Sequence, residues 1–284
     1  MSGLVSGLAF LVLAPLAGGL LAGADRIVSA RMQSRVGPPL LQPFYDLGKL
    51  LQKEVRTVNG LAEPLLVGHL VSMAVAGALF VGGADLLFAT FVFALSSLLL
   101  VLAAGSADSP FGSAGAEREL VALLAAEPLL ILLAALVCRV TGAHTLDGIL
   151  ASPVKVVVEL PGVLAAFLVI VTIKLRKSPF DLSASHHAHQ ELVRGLTADM
   201  SARLLAWVEL SHWYETVLLG LFVILFFNWS VPLGIAAALL ALFLEILVDN
   251  ATSRVKWQLM LRSAWAATLL FAAGNALVLS FWRW

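Results

Sequence analysis

Long apolar runs recur along the chain and are separated by short polar stretches. A helix crossing a bilayer needs about 20 mostly apolar residues, because the hydrocarbon layer is about 30 Å thick and each residue rises about 1.5 Å. Eight runs meet or approach that need: Gly3-Ala24, Pro64-Gly83, Leu86-Ala104, Leu120-Val140, Leu160-Leu175, Ser201-Phe227, Val231-Val248 and Ser263-Trp282. The sixth and seventh share an uncharged run from Thr216 to Leu244, divided at Asn228-Trp229-Ser230-Val231-Pro232 because proline and its neighbours punctuate helices. The first run lacks a basic leading region and an obvious small-residue cleavage site, so it reads as a retained helix and not a signal peptide. The pattern predicts an all-α polytopic membrane protein with about eight transmembrane helices. It forms a single integral membrane domain over residues 1–284, with polar loops at about 25–63 and 174–200.

Composition agrees with the pattern: 60% of residues are apolar and 13% charged, against about 45–50% and 25% in soluble domains. Lysine plus arginine equals aspartate plus glutamate at 18 each, which excludes a polybasic nucleic-acid binder. The single cysteine, Cys138, can form no internal disulfide and cannot supply the usual four thiolates of an iron-sulfur cluster. Position says more than the sum. Fifteen of the 18 basic residues fall in the loops after the first, third, fifth and seventh runs, leaving only Arg139, Lys155 and Arg283 on the other side. The positive-inside rule then puts both termini outside and the two long polar loops in the cytoplasm. No internal repeat is evident, which argues against a secondary transporter built on inverted repeats.

The first long loop carries Gln33-Ser34-Arg35-Val36-Gly37-Pro38-Pro39 and then Gln42-Pro43-Phe44-Tyr45-Asp46-Leu47-Gly48-Lys49-Leu50-Leu51-Gln52-Lys53-Glu54. Phe44, Leu47, Leu50 and Leu51 recur at helical spacing, with Asp46, Lys49 and Lys53 on another face. This describes an amphipathic helix lying in the membrane interface with its charges toward water. Gly37-Pro38-Pro39 should fix a bend before it. Arg26, Arg31 and Arg35 could equally serve as headgroup and topology anchors.

The string QSRVGPPLLQPFYDLGKLLQKE resembles a signature of the membrane subunit that anchors the peripheral arm in respiratory complex I and in energy-converting nickel-iron hydrogenases. The resemblance implies that Arg35, Gln42, Asp46, Lys49, Lys53 and Glu54 face a soluble partner or the chamber beneath it. The other long loop extends it, and places Asp181, His186, His187, His189, Glu191 and Asp199 among the residues expected to couple to or dock that partner. There, Pro179-Phe180-Asp181-Leu182 is followed by Glu191-Leu192-Val193-Arg194-Gly195 and Asp199, similar to the loop after the family's fifth span. Complex I members usually carry a run of glutamates there, whereas this chain is three residues longer and places His186, His187 and His189 in that stretch. It also carries Lys174 where they usually have a glutamate, and lacks their glycine-rich stretch in the first loop. These departures resemble the ferredoxin- and carbon-monoxide-linked hydrogenase branch and argue against quinone binding.

By residue chemistry alone, His186 and His189 share a helical spacing and could bind a divalent metal with Glu191 or Asp181. Alternatively the imidazoles hydrogen-bond a docking partner or pass protons near neutral pH, or the loop is simply solvated. No metal is expected in this chain.

Charge inside a span is costly and defaults to function, at about 2.5–3.5 kcal/mol per group on insertion scales. Glu127 lies beside Pro128, and Lys174 closes the fifth run. Glu209, His212 and Glu215 form a polar stripe on the sixth, and Glu245 and Asp249 stand one turn apart on the seventh. Glu127, Lys174, Glu209, His212, Glu215 and Glu245 are the expected proton relay. His69 is expected to be a satisfied interior histidine and Asp249 to reach water. The resemblance agrees for Glu127, whose spacing from Arg118 matches a glutamate of the complex I proton-input path.

Three functions follow as expectations. The first is a membrane subunit of an energy-converting nickel-iron hydrogenase, anchoring the peripheral arm and coupling proton reduction to proton or sodium translocation. The resemblance implies hydrogenase small and large subunits, a ferredoxin-like iron-sulfur subunit and an antiporter-like membrane subunit as partners. Iron-sulfur clusters and the nickel-iron centre would then lie in those partners, with no cofactor bound by this chain, no redox catalysis by it alone and no nucleic acid. The second is a quinone-chamber subunit of a complex I-like oxidoreductase, and the third a stand-alone transporter.

Overall fold

The computed structural model describes residues 2–55, 60–107, 109–181, 183 and 195–282. His186, His187, His189 and Glu191 lie outside the described residues. The elements are α1 (Ser2–Met32), α2 (Gln42–Gln52), α3 (Ala62–Val81), α4 (Leu86–Gly105), α5 (Pro110–Thr141), α6 (Leu146–Ala151), α7 (Val156–Glu159), α8 (Pro161–Lys174), α9 (Ala202–Phe226) and α10 (Val231–Ala251). The last crossing is α11 (Trp257–Ala266), which passes through a π-helical stretch, Ala267–Ala273, into α12 (Gly274–Trp282). No strand occurs among the described residues.

Seven of these crossings are long and apolar enough to span a membrane among the described residues; α8, at 14 residues, is shorter. At 1.5 Å per residue α8 covers only about 21 Å. It is tolerated because it is enclosed by protein: Val163, Ala166, Phe167 and Ile170 are fully buried. The space beyond its first turn is filled by α6 and α7. There the buried Asn228 side chain donates to the carbonyls of Ile149, Ser152 and Val154 and accepts from the amide of Val156.

Two helices begin or end away from the edges of the apolar runs. α1 continues past Ala24 to Met32, since nothing stops it until Ser34 takes a positive φ of 57°. The first polar loop therefore starts about eight residues after the expected position 25. α5 begins at Pro110, ten residues before the apolar run, because Pro110 occupies its first turn and the Ser109 hydroxyl caps Gly112. That extension carries Glu119.

The bundle is centred on α9, whose Phe222 ring lies 5.0 Å from that of Phe80 and 5.9 Å from that of Phe167. α1 meets α9 closely because Gly18 has no side chain: a Cβ there would stand 2.4 Å from the carbonyl oxygen of Trp213. Beside it, Gly19 receives the ring of Phe44 from α2, and Phe44 stacks edge-on against Trp213 at 5.0 Å. The amphipathic helix is thus held by its aromatic face. Leu51, expected on the same face, is 55% exposed instead. Pro15, inside α1, cannot donate to the carbonyl of Leu11 four residues earlier. The hydroxyl of Tyr214 on α9 supplies that missing donor at 2.6 Å.

Candidate functional site

Where α1 ends, α8 ends and α9 begins, the bundle opens into a cavity of about 1210 Å³. Its apolar wall includes Leu21, Leu239, Phe243 and Ile246, and its polar wall includes Asp25, Lys177, Glu209, His212 and Asp249. The first loop closes one side. Arg35 lines the cavity with its guanidinium on the Gln33 side chain, and Lys49, Lys53 and Glu54 stand around it. Asp46 also lines it but is occupied by α1 and α2: it accepts from Arg26 and Gln42, each at 2.8 Å, with Lys49 at 3.9 Å. Burial works against its charge, and these donors and cations outweigh it, holding the carboxyl below its ordinary value.

From the cavity a row of charged side chains runs into the bundle. Glu209 and His212 line the cavity, and Nδ1 of His212 lies 3.6 Å from Oε2 of Glu215 on the same helix. Glu215 is buried and takes Nη1 of Arg176 at 3.2 Å. Arg176 also donates twice to Glu119 of α5, at 3.1 and 2.6 Å. Burial opposes the charge of this guanidinium, and the two carboxylates more than offset it, so it stays protonated. Lys174, two residues earlier, is 2.5 Å from Oε1 of Glu127, 3.1 Å from the Ser97 hydroxyl and 4.4 Å from the centre of the Phe93 ring. Oε2 of Glu127 and Oε1 of Glu215 are buried with no hydrogen-bond partner among the described residues. Each is an acceptor with room for a proton.

The structure thus brings together Glu127, Lys174, His212 and Glu215, with Glu209 one turn nearer the cavity. Glu245 stands apart: it is buried on α10, facing Thr172 of α8. Two members of the row, Glu119 and Arg176, escaped the sequence reading. Glu119 falls just before the apolar run that defined the span, and Arg176 counts there as one more loop cation. Their signal would have been the helix start at Ser109-Pro110, which puts Glu119 and Glu127 on one helix two turns apart.

The loop after α8 is fastened by its own polar groups. Lys177 pairs with Asp25 of α1 at 2.7 Å, and the amide of Ser178 donates to Asp249 of α10 at 2.8 Å. Asp181, expected toward a partner, is buried and receives Arg254 in two hydrogen bonds of 3.0 and 2.9 Å. One oxygen of Asp199 is buried with no hydrogen-bond partner among the described residues. His69 is an interior histidine whose Nδ1 lies 2.8 Å from both the hydroxyl and the carbonyl of Ser96. No group of three His, Cys, Asp or Glu side chains suited to a metal occurs among the described residues.

An apolar helical bundle with an ionisable interior, opening on a cavity walled on one side by a short amphipathic helix, defines a polytopic membrane protein. The chain belongs to the NADH dehydrogenase family, whose model matches residues 5–280. It is 32% identical over 254 residues to hydrogenase-4 component C of Escherichia coli (strain K12), covering 80% of this chain and 77% of that protein. Over 296 aligned residues it is 26% identical to formate hydrogenlyase subunit 4 of the same organism, covering 93% of each. The fold matches a chain of the membrane-bound sulfane sulfur reductase, an archaeal respiratory membrane complex, with a TM-score of 0.85 at 22% identity, covering 98% of this chain and 99% of that one. The family resemblance read from the two loops is borne out, and with it the assignment to the membrane subunits of such complexes.

Proposed function

We propose that this chain is the membrane subunit of an energy-converting hydrogenase that anchors the peripheral electron-transfer arm and couples hydrogen formation to proton or sodium translocation. The observation that carries this reading is the row of ionisable side chains from the half-buried Glu209 and His212 through Glu215, Arg176 and Lys174 to Glu127. It links the cavity to the bundle interior, and two of its carboxylates have oxygens without a hydrogen-bond partner among the described residues. Buried carboxylates in such settings exchange protons, as a relay requires. The polar loops and the cavity face the cytoplasm in this reading, with both termini outside. The redox centres belong to partners: the hydrogenase small and large subunits and a ferredoxin-like subunit. An antiporter-like membrane subunit continues the ion path. The similarity to hydrogenase-4 component C supports this choice of complex.

The test is the complex in vesicles carrying Glu127→Gln or Glu215→Gln. Ion pumping should be abolished while hydrogen evolution in detergent is largely retained; pumping at the unaltered level in both variants would sink the relay. A second reading, a quinone-chamber subunit, is favoured by the size and apolar wall of the cavity. It predicts inhibition by quinone analogues, which the hydrogenase reading does not.

A further inference from the structure

Glu119 is the one acid of the row with no free acceptor. Its Oε1 accepts both Nε and Nη2 of Arg176, and its Oε2 accepts the hydroxyl of Ser183. Glu215, on the other side of the same guanidinium, meets Arg176 and His212 with Oε2, while Oε1 has no hydrogen-bond partner among the described residues. One guanidinium is therefore shared by an acid that is fully engaged and an acid that can take a proton.

Ser183 connects this pair to the loop after α8. Its carbonyl accepts the amide of Leu196 at 2.9 Å, and Leu196 lies against α5 one turn before Glu119. The approach is close: a Cβ on Gly115 would stand 2.3 Å from the Leu196 nitrogen. Any displacement of this part of the loop must move the hydroxyl that Glu119 holds.

We propose that Glu119 is a positioning residue that reports the conformation of this loop to Glu215 by dividing its charge between Ser183 and Arg176. With the Ser183 hydroxyl in place, part of the charge on Glu119 is engaged and Arg176 stays on Glu215. When the hydroxyl leaves, Glu119 draws the guanidinium toward α5, and Glu215 accepts a proton from the cavity by way of His212. Other charges face this centre from α8 (Lys174) and α9 (His212), and His69 of α3 lies within electrostatic reach of Glu215, Arg176 and Glu119. The inference rests on the relay reading above.

The test is the complex in vesicles, with proton uptake per hydrogen formed recorded against pH for the unaltered protein and for Glu119→Gln, Ser183→Ala and Glu215→Gln. The two loop-side substitutions should move the profile in opposite directions. Glu119→Gln leaves Arg176 to Glu215 alone and shifts the midpoint to the acid side by about one pH unit; Ser183→Ala shifts it to the alkaline side by less. A purely structural role would not give shifts of opposite sign. If Glu119→Gln does not assemble, Ser183→Ala, which keeps every buried charge, decides alone. Unchanged midpoints alongside defective uptake in Glu215→Gln would overturn the positioning role, whereas normal uptake in Glu215→Gln would remove Glu215 from the relay and overturn the proposal with it.

Discussion

The ammonium of Lys174 at the end of α8 lies 2.5 Å from the carboxylate of Glu127 on α5, and with 6% and 14% of their side-chain surface exposed both are largely withdrawn from water. Each is the main compensation for the other's loss of water. Lys174→Met leaves Glu127 without a cation, a loss of about 3–5 kcal/mol when a buried pair is broken from one side. Thermal unfolding in detergent should show it. The double variant Lys174→Met with Glu127→Leu should recover most of that stability, because two apolar side chains carry no desolvation penalty. A double variant as unstable as the single one would mean the pair's attraction, and not the stranded charge, sets the cost.

His69 should prove structural. Ser96→Ala removes a hydroxyl that lies 2.8 Å from Nδ1 of His69 and donates to its carbonyl. The cost should be about 1 kcal/mol, read as a small fall in melting temperature with proton uptake unchanged. A collapse of uptake in this variant would place His69 in the relay.

The loop after α8 should loosen when its central clasp is cut. Asp181→Asn weakens the paired hydrogen bonds from Arg254. Hydrogen exchange at the amides of Phe180 and Val255, which are bonded to the carbonyls of Lys177 and Pro179, should then quicken by about tenfold. Exchange at the amide of Tyr45, on the far side of the cavity, should not change.

Acid should release α2 from α1. Because hydrogen bonds and cations hold Asp46 below its ordinary carboxyl value of 3.8 despite burial, its contribution is complete above that value and is lost as pH falls through the folded one. Amide protection in α2, corrected for intrinsic rates, should therefore drop below pH 3.8, and Asp46→Asn should abolish the dependence. An α2 equally protected at all these pH values would show that the stacking of Phe44 on Trp213 suffices.

The sequence made some of this visible for a definite reason. Glu127, His212 and Glu215 interrupt apolar runs, so their cost in lipid marks them before any coordinates exist. Helix positions were readable wherever apolar length and proline punctuation agreed, as at the break between α9 and α10. Glu119 and Arg176 were hidden because both stand in polar stretches that hydropathy assigns to water. Only the early start of α5 and the inward return of the chain after Lys174 draw them away from water. The shortness of α8 already showed in the apolar run Leu160-Leu175, but what makes it tolerable did not, since burial by neighbouring helices, and not the thickness of the bilayer, decides how long an interior helix must be.

The hydrogen bond between Ser183 and Leu196 also bears on how this protein can be engineered. Ser183 and Leu196, which flank the stretch 184–194, are bonded to each other beside α5. Closing a longer loop costs little more entropy. A stretch three residues longer than in complex I members is then no burden on the bundle, and transplanted segments from relatives or an affinity tag should be accepted at this point. The same neck makes this a point at which the chain can be lengthened or exchanged without redesign of its helices.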